Sequence, residues 1–159
     1  MNKHRNVNNF DKFINECWSI SPSSDPEPGQ QFTPSICIPP PSIPHTVLAI
    51  QTTLKLAHWQ TVSFAQHEAF GKIYDEVTIL GDQFVETYIG KYGNRDIIPG
   101  AIGLQNTTMD EMPLLPDVCL AILNNATTYL LTPEDTELNN IVDEIRAQLQ
   151  KLKYLFTLK

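Results

Sequence analysis

The sequence has little positive charge and no long apolar run. Its 159 residues include 11 Lys and Arg against 18 Asp and Glu, a formal net charge of −7. Nucleic acid and anionic membranes attract basic proteins, so neither is an expected partner, and cations are favoured instead. No stretch approaches the roughly 18 apolar residues of a membrane span, and the first residues lack the apolar core of a signal peptide. We therefore expect a cytoplasmic protein with no membrane contact.

Cysteines and common catalytic motifs are equally scarce. The three cysteines, Cys17, Cys37 and Cys119, are odd in number and widely spaced. They match neither a zinc-binding pattern nor a disulfide framework, so we expect buried or free thiols. The sequence also contains no glycine-rich phosphate loop and no GxSxG motif, which disfavours nucleotide binding and serine-hydrolase chemistry.

Proline divides the chain into two parts. Eight of the twelve prolines lie in the segment Pro22–Pro44. This density of fixed φ angles and missing N–H donors excludes a helix or a central strand, and it favours an extended arm. We therefore predict a Pro-rich N-terminal arm over residues 1–43, with a short helix over 7–20 as one option, and a helical domain over 44–159. The arm is either a flexible linker or a strap that binds a neighbouring subunit or another protein.

The helical domain contains four segments with the period of an amphipathic helix. They run over about 44–61, 64–93, 116–131 and from residue 133 to the C-terminus. Thr132 can cap the fourth helix, and Pro133 fits its first position. The side chains predicted to face the core include Val47, Ile50, Leu54 and Ala57 in the first segment, Phe64 and Phe70 in the second, and Val118, Ala121, Ile122 and Leu130 in the third.

Two short connections and one long one join these helices. Residues 94–115 contain Pro99, Gly100, Gly103 and Pro113, too many breakers for one element. We expect a crossover with a short helical turn near residues 107–112, TTMDEM. Two helical hairpins joined by such a crossover predict an all-α, ferritin-like four-helix bundle with one long connection between its second and third helices.

Four polar residues of the first hairpin form a candidate metal site. Imidazole and carboxylate together suit Fe(II), Mn(II) or Zn(II), and the chain offers His58, His67, Asp82 and Glu86. His67 and Asp82 lie roughly 22 Å apart along one helix, so they cannot bind the same ion within one chain. Two antiparallel copies related by a two-fold axis would bring them together, which predicts an intersubunit site. Singly, such residues are more often a packed histidine or a solvated acidic face.

This arrangement resembles the miniferritins, the DNA-binding proteins from starved cells or Dps proteins. Their His–Trp pair, second His, Asp fifteen residues later and Glu four further on match His58-Trp59, His67, Asp82 and Glu86. The resemblance implies a ferroxidase centre at a dimer interface, at which peroxide or oxygen oxidises bound iron and Trp59 intercepts oxidising intermediates. It also implies a two-fold dimer and a dodecameric cage. The alternative for Trp59 is a core aromatic at the turn.

The chain departs from the family pattern in several ways. Its two histidines are nine residues apart instead of twelve, and Gly71 stands where the family commonly has another acidic ligand. The missing carboxylate predicts a weaker or mononuclear site. Alternatively, Gly71 and Gly81 mark positions of close helix packing, where a dimer partner approaches. The termini also lack the Lys-rich tails of DNA-binding members, so strong DNA binding is not expected.

The sequence thus predicts a Dps-like protein that oxidises and sequesters Fe(II), with Mn or Zn as other metals that fit the donors. The alternative is a non-enzymatic structural or assembly protein with a ferritin-like fold and a reduced metal site. Dps-like chains also occur among proteins of large viruses and phages, so a virus-encoded member, located in the virion, is compatible with the pattern. A di-iron site within one bundle is disfavoured because the third and fourth helices contain no histidine.

Overall fold

The computed structural model describes residues 42–93, 95, 102 and 106–158. Over these ranges the regular structure consists of helices alone, with no strand. They are α1 (Ile43–Gln60), α2 (Phe64–Tyr92), α3 (Leu115–Leu130), which a 3-10 helix (Met112–Leu114) precedes, and α4 (Thr136–Leu155). Four helices and a helical turn before the third are therefore confirmed, whereas the predicted arm lies outside the described residues except for its last two.

The four helices form a bundle in which each one has two neighbours. α1 and α4 both pack against α2 and α3. Gln60 at the end of α1 donates to the Asn106 side chain ahead of α3, and Lys91 at the end of α2 pairs with Glu137 at the start of α4. Neighbouring helices are therefore antiparallel, and α2 and α3 run parallel across the diagonal. Gly93 after α2 and Asn106 ahead of α3 therefore lie at opposite ends of the bundle.

Local sequence signals set the helix ends. The Ser42 and Ser63 side chains accept hydrogen bonds from the first-turn N–H groups of α1 and α2, which those helices cannot pair internally. Gly93 ends α2 with a φ of 69°, a left-handed conformation that glycine adopts without strain. Only residues 61–63 separate α1 from α2, so the end of one is held against the start of the other.

The core follows the predicted stripes in α1, α2 and α4. The four α1 positions predicted to face inward are all buried, and Phe70 and Phe84 of α2 are fully enclosed. Along α4, buried residues recur at every third or fourth position from Leu138 to Leu152. No helix in the described part of the chain is long and apolar enough to cross a membrane.

Three predictions about local structure are wrong. Phe64 is 78% exposed, because it begins α2 beyond the end of the core. On α3, Val118 and Ala121 are exposed, whereas Ile122 and Leu130 pack partly buried against the core as predicted. This helix is apolar on more than one face, so its period does not fix which face turns inward. α4 begins at Thr136, not at Pro133, because the preceding residues form a turn closed by the Asp135 carboxylate.

Candidate functional site

His58 and His67 lie against each other across the α1–α2 turn. The Nδ1 atom of each ring is 2.9 Å from the backbone carbonyl oxygen of the other residue. The ring centroids are 3.8 Å apart, and the rings are stacked at 26°. Because a carbonyl oxygen only accepts, each Nδ1 carries the proton and donates it. In the neutral form of each ring, the lone pair is therefore on Nε2, the atom that can bind a metal.

Gly71 makes room for this pair of rings. A β-carbon at position 71 would lie 3.0 Å from Cε1 of His58 and 3.1 Å from its Nδ1. Similarly, a β-carbon at Gly81 would lie 2.6 Å from Cγ1 of Val47 and 3.0 Å from Nε2 of Gln51. Close helix packing at both glycines is thus confirmed. The helix that approaches them is α1 of the same chain, so neither glycine is needed to admit a second copy.

Asp82 and Glu86 lie one turn apart on α2, and both are exposed. Along the helix they are roughly 22 and 28 Å from the level of His67, too far to share an ion with it. In the described residues of one chain, no group of three or more His, Cys, Asp or Glu side chains is placed to hold a metal ion. The predicted ligands therefore form two separate halves, and their union across two chains stays a prediction.

The outer face of α2 is acidic between these two halves. Its exposed carboxylates include Glu68, Asp75 and Glu76, and its exposed lysine in this stretch is Lys72. Such a face attracts cations and repels another acidic surface. The same face carries Ile79, which is 66% exposed.

Trp59 belongs to an exposed apolar surface at the α1–α2 turn. It is 66% exposed, and its neighbours Val62 and Phe64 are 87% and 78% exposed. The Nζ atom of Lys55 lies 5.6 Å from the Trp59 ring centroid. The alternative in which Trp59 is a core residue of the single chain is therefore wrong. The apolar period assigns Phe64 to the core and says nothing about Val62, although two large apolar residues around a three-residue turn are the signal for such a surface.

A second polar cluster fixes the opposite end of α2. The Asp135 carboxylate is 2% exposed, and it accepts hydrogen bonds from Lys91, from the Tyr92 hydroxyl and from the backbone N–H of Thr132. Burial raises the pKa of Asp135, but the hydrogen bonds from Lys91, Tyr92 and Thr132 outweigh it and hold the pKa below its ordinary value. The carboxylate is therefore ionised, and it ties α2 to the α3–α4 turn.

The one cysteine among the described residues is Cys119, which is fully buried on α3. Burial raises the pKa of its thiol to about 12, so it is neutral and unreactive at ordinary pH. The prediction of a buried thiol is confirmed for this residue. Cys17 and Cys37 lie outside the described residues.

Comparison with known proteins gives two relationships. A family model described as "Family of unknown function (DUF5856)" matches residues 58–156, which include both histidines and both candidate carboxylates. An uncharacterized 14.6 kDa protein in the mobD-ri intergenic region of Enterobacteria phage T4 is 29% identical over 115 residues. That match covers 71% of this chain and 84% of the phage protein. No solved structure matches the chain.

Proposed function

The chain belongs to the DUF5856 family of unknown function, and we propose that it is a Dps-like protein with a ferritin-like bundle that oxidises and sequesters Fe(II) at a site shared by two copies. The observation that carries this proposal is the reciprocal hydrogen bonding of His58 and His67. It fixes the orientation of both rings and leaves both Nε2 lone pairs available. Metal-binding histidines are commonly held in this way, with the second ring nitrogen on a carbonyl.

The donor set fits divalent iron. His58 and His67 of one copy supply neutral nitrogen ligands, and Asp82 and Glu86 of the other supply two negative charges that balance Fe(II) and stabilise Fe(III). Two Fe(II) each lose one electron, and hydrogen peroxide with two protons takes both electrons to give two waters. Oxygen can serve as the oxidant instead. Mn(II) and Zn(II) suit the same donors, and Zn(II) would act as a redox-inert competitor.

The geometry of α2 supports a two-fold arrangement. Successive residues of a helix are rotated by about 100°, so Asp82, fifteen residues after His67, points only about 60° away from it. Antiparallel packing of two α2 helices would cross near Asp75 and form two equivalent sites. The exposed Trp59 directly follows His58, and in this proposal it intercepts oxidising intermediates.

Gly71 gives a structural reason why this chain lacks the carboxylate that miniferritins commonly have at this position. A longer side chain at that position would collide with the His58 ring. The nine-residue spacing of His58 and His67 and the presence of Gly71 therefore go together. The two histidines pack tightly, and the site has one acidic ligand fewer. The proposed site accordingly binds iron more weakly than a complete miniferritin site, with one ion per site.

Iron oxidation tests this proposal. Fe(II) is mixed with peroxide or air, and ferric absorbance is followed for the wild type, His67→Ala, Asp82→Ala and the control Glu144→Gln, an exposed acid of α4 that lies outside the proposed α2 contact. The wild type and the control are expected to oxidise iron faster than buffer alone, whereas His67→Ala and Asp82→Ala are not. Mixing those two variants is expected to restore about a quarter of the activity, because half of the dimers are mixed and each has one intact site. A wild type no faster than buffer would exclude the ferroxidase.

A non-enzymatic structural or assembly role is the second candidate. The exposed apolar surface formed by Trp59, Val62 and Phe64 favours it, because contiguous exposed apolar side chains often mark protein contacts. Under this proposal the protein does not accelerate iron oxidation, and changes at Val62 or Phe64 impair assembly instead. The phage relative is compatible with a virus-encoded protein, located in the host cytoplasm or in the virion.

A further inference from the structure

Charge is distributed unevenly over the four helices. α2 contains seven Asp, Glu, Lys or Arg residues and α4 contains six, whereas α1 and α3 contain one each, Lys55 and Asp117. α1 and α3 pack side by side. One side of the bundle is therefore almost uncharged, although the whole chain has a net charge of −7. A helix whose outer face meets only water normally carries charged residues there.

Exposed residues form two rows on the outer face of α3: a polar row of Asp117, Asn124 and Thr128, and a mainly apolar row that begins at Leu114, the residue before the helix. Leu114 is 58% exposed, Val118 46% and Tyr129 71%, and Ala121 is also exposed. Together with Asn125 these residues recur every three or four positions, which places them on one side of the helix. The residues on the opposite side, such as Cys119 and Leu123, are in the core. We call this outer row, Leu114, Val118, Ala121, Asn125 and Tyr129, the α3 stripe.

We propose that the α3 stripe is a contact surface between two copies of this chain, packed antiparallel about a two-fold axis near Ala121. The spacing of the stripe suits such an axis. Leu114 of one copy lies at the level of Tyr129 of the second copy, and Val118 lies at the level of Asn125. The small Ala121 side chain at the centre lets the two helices approach closely.

Charge favours a second copy as the occupant of this surface. Each copy carries a net charge of −7, so two copies meet with least repulsion at a face that lacks charge. A strongly basic or acidic partner would require opposite charges on the stripe. The single charge of α3, on Asp117, is already paired with Lys153 at 2.6 Å.

The uncharged face formed by α1 and α3 together has the order of size of a dimer contact. Helices α1 and α3 are each roughly 25 Å long and lie about 10 Å apart, so they present about 500 Å² in projection. A stable dimer buries about 800 Å² of corrugated accessible surface per partner, which is of the same order. The α3 contact is distinct from the α2 contact of the proposed function and does not depend on it. Two different two-fold contacts on one chain would build an assembly larger than a dimer.

Sedimentation velocity of the full chain tests the inference, with EDTA present to suppress any cation-dependent contact through α2. The wild type is expected to sediment as a dimer, and Val118→Glu is expected to weaken the dimer by about tenfold or more. Ile79→Glu places the same charge at a similarly exposed apolar residue of α2, and it is expected to leave the dimer unchanged. Circular dichroism checks that all variants remain helical.

Cross-linking provides a second measurement that does not depend on destabilising the contact. In a chain carrying Cys17→Ser and Cys37→Ser, the change Ala121→Cys is expected to give a disulfide-linked dimer on mild oxidation, whereas Ile79→Cys is not. A wild type that is monomeric at about 100 μM, a dimer insensitive to Val118→Glu, or equal cross-linking at both positions would overturn the inference.

Discussion

The Nδ1 atom of His67 donates to the carbonyl oxygen of His58, one of the groups that the end of α1 leaves without a partner inside the helix. In the same way, the Nδ1 atom of His58 donates a hydrogen bond to the carbonyl oxygen of His67. The two side chains therefore close the α1–α2 turn as well as presenting two Nε2 atoms. The structural role and the proposed metal-binding role fall on the same residues, so substitutions must separate them.

Asparagine at position 67 separates these roles. Its side-chain amide can replace the Nδ1 donor but offers nothing at the place of Nε2. We expect His67→Asn to keep the free energy of unfolding within about 0.5 kcal/mol of the wild type, whereas His67→Ala, which leaves a carbonyl unpaired, loses about 1–2 kcal/mol. Both variants are expected to lose Zn(II) binding in titration calorimetry. Retained binding in His67→Asn would mean that the Nε2 atom is not a ligand.

Glycine substitutions on α2 test the packing of the His58 ring. Gly71→Ala gains helix propensity of about 1 kcal/mol, but its new methyl group displaces the ring. We expect these effects nearly to cancel in urea unfolding, while metal affinity falls. Gly90→Ala is the control, because a β-carbon there meets nothing within 4 Å. That variant should be more stable by about 0.5–1 kcal/mol and should bind metal as the wild type does.

The buried Asp135 makes the stability depend on pH. Its pKa is lower in the folded than in the unfolded chain, so its contribution is complete above the unfolded value of about 4 and is lost as the pH falls through the lower folded value. We expect Asp135→Asn to lower the free energy of unfolding at pH 7 by about 1–3 kcal/mol. The loss should shrink on acidification in urea titrations between pH 7 and pH 2.

Glu137 offers a matched control for that experiment. It also pairs with Lys91 at 2.7 Å, but its side chain is 49% exposed and in contact with water. We expect Glu137→Gln to change the free energy of unfolding by less than about 0.5 kcal/mol. An equal loss in both variants would show that the Lys91 charge, and not the burial of Asp135, determines the effect.

The sequence predicted the fold better than the details of the site. α1 has a single apolar stripe, from Val47 to Ala57. This pattern determines which face of the helix is buried, because only that face is apolar. α3 is apolar on two faces, so a periodic pattern could not decide whether Val118 or Cys119 is buried. The reciprocal hydrogen bonds of His58 and His67 could not be predicted from the sequence either, because they depend on how closely a three-residue turn brings two backbones together.

The exposed position of Trp59 gives a prediction for iron turnover. Since its ring is 66% exposed and follows His58 in the chain, we expect it to be oxidised when Fe(II) and peroxide are added. Mass spectrometry should find added oxygen on the Trp59 peptide of the wild type, and much less on that of His67→Asn, in which no iron is held nearby. Because so little of the ring is buried, Trp59→Phe should leave urea unfolding within about 0.5 kcal/mol of the wild type. Equal oxidation of Trp59 in the presence and absence of His67 would attribute the modification to free iron in solution and remove this role from the residue.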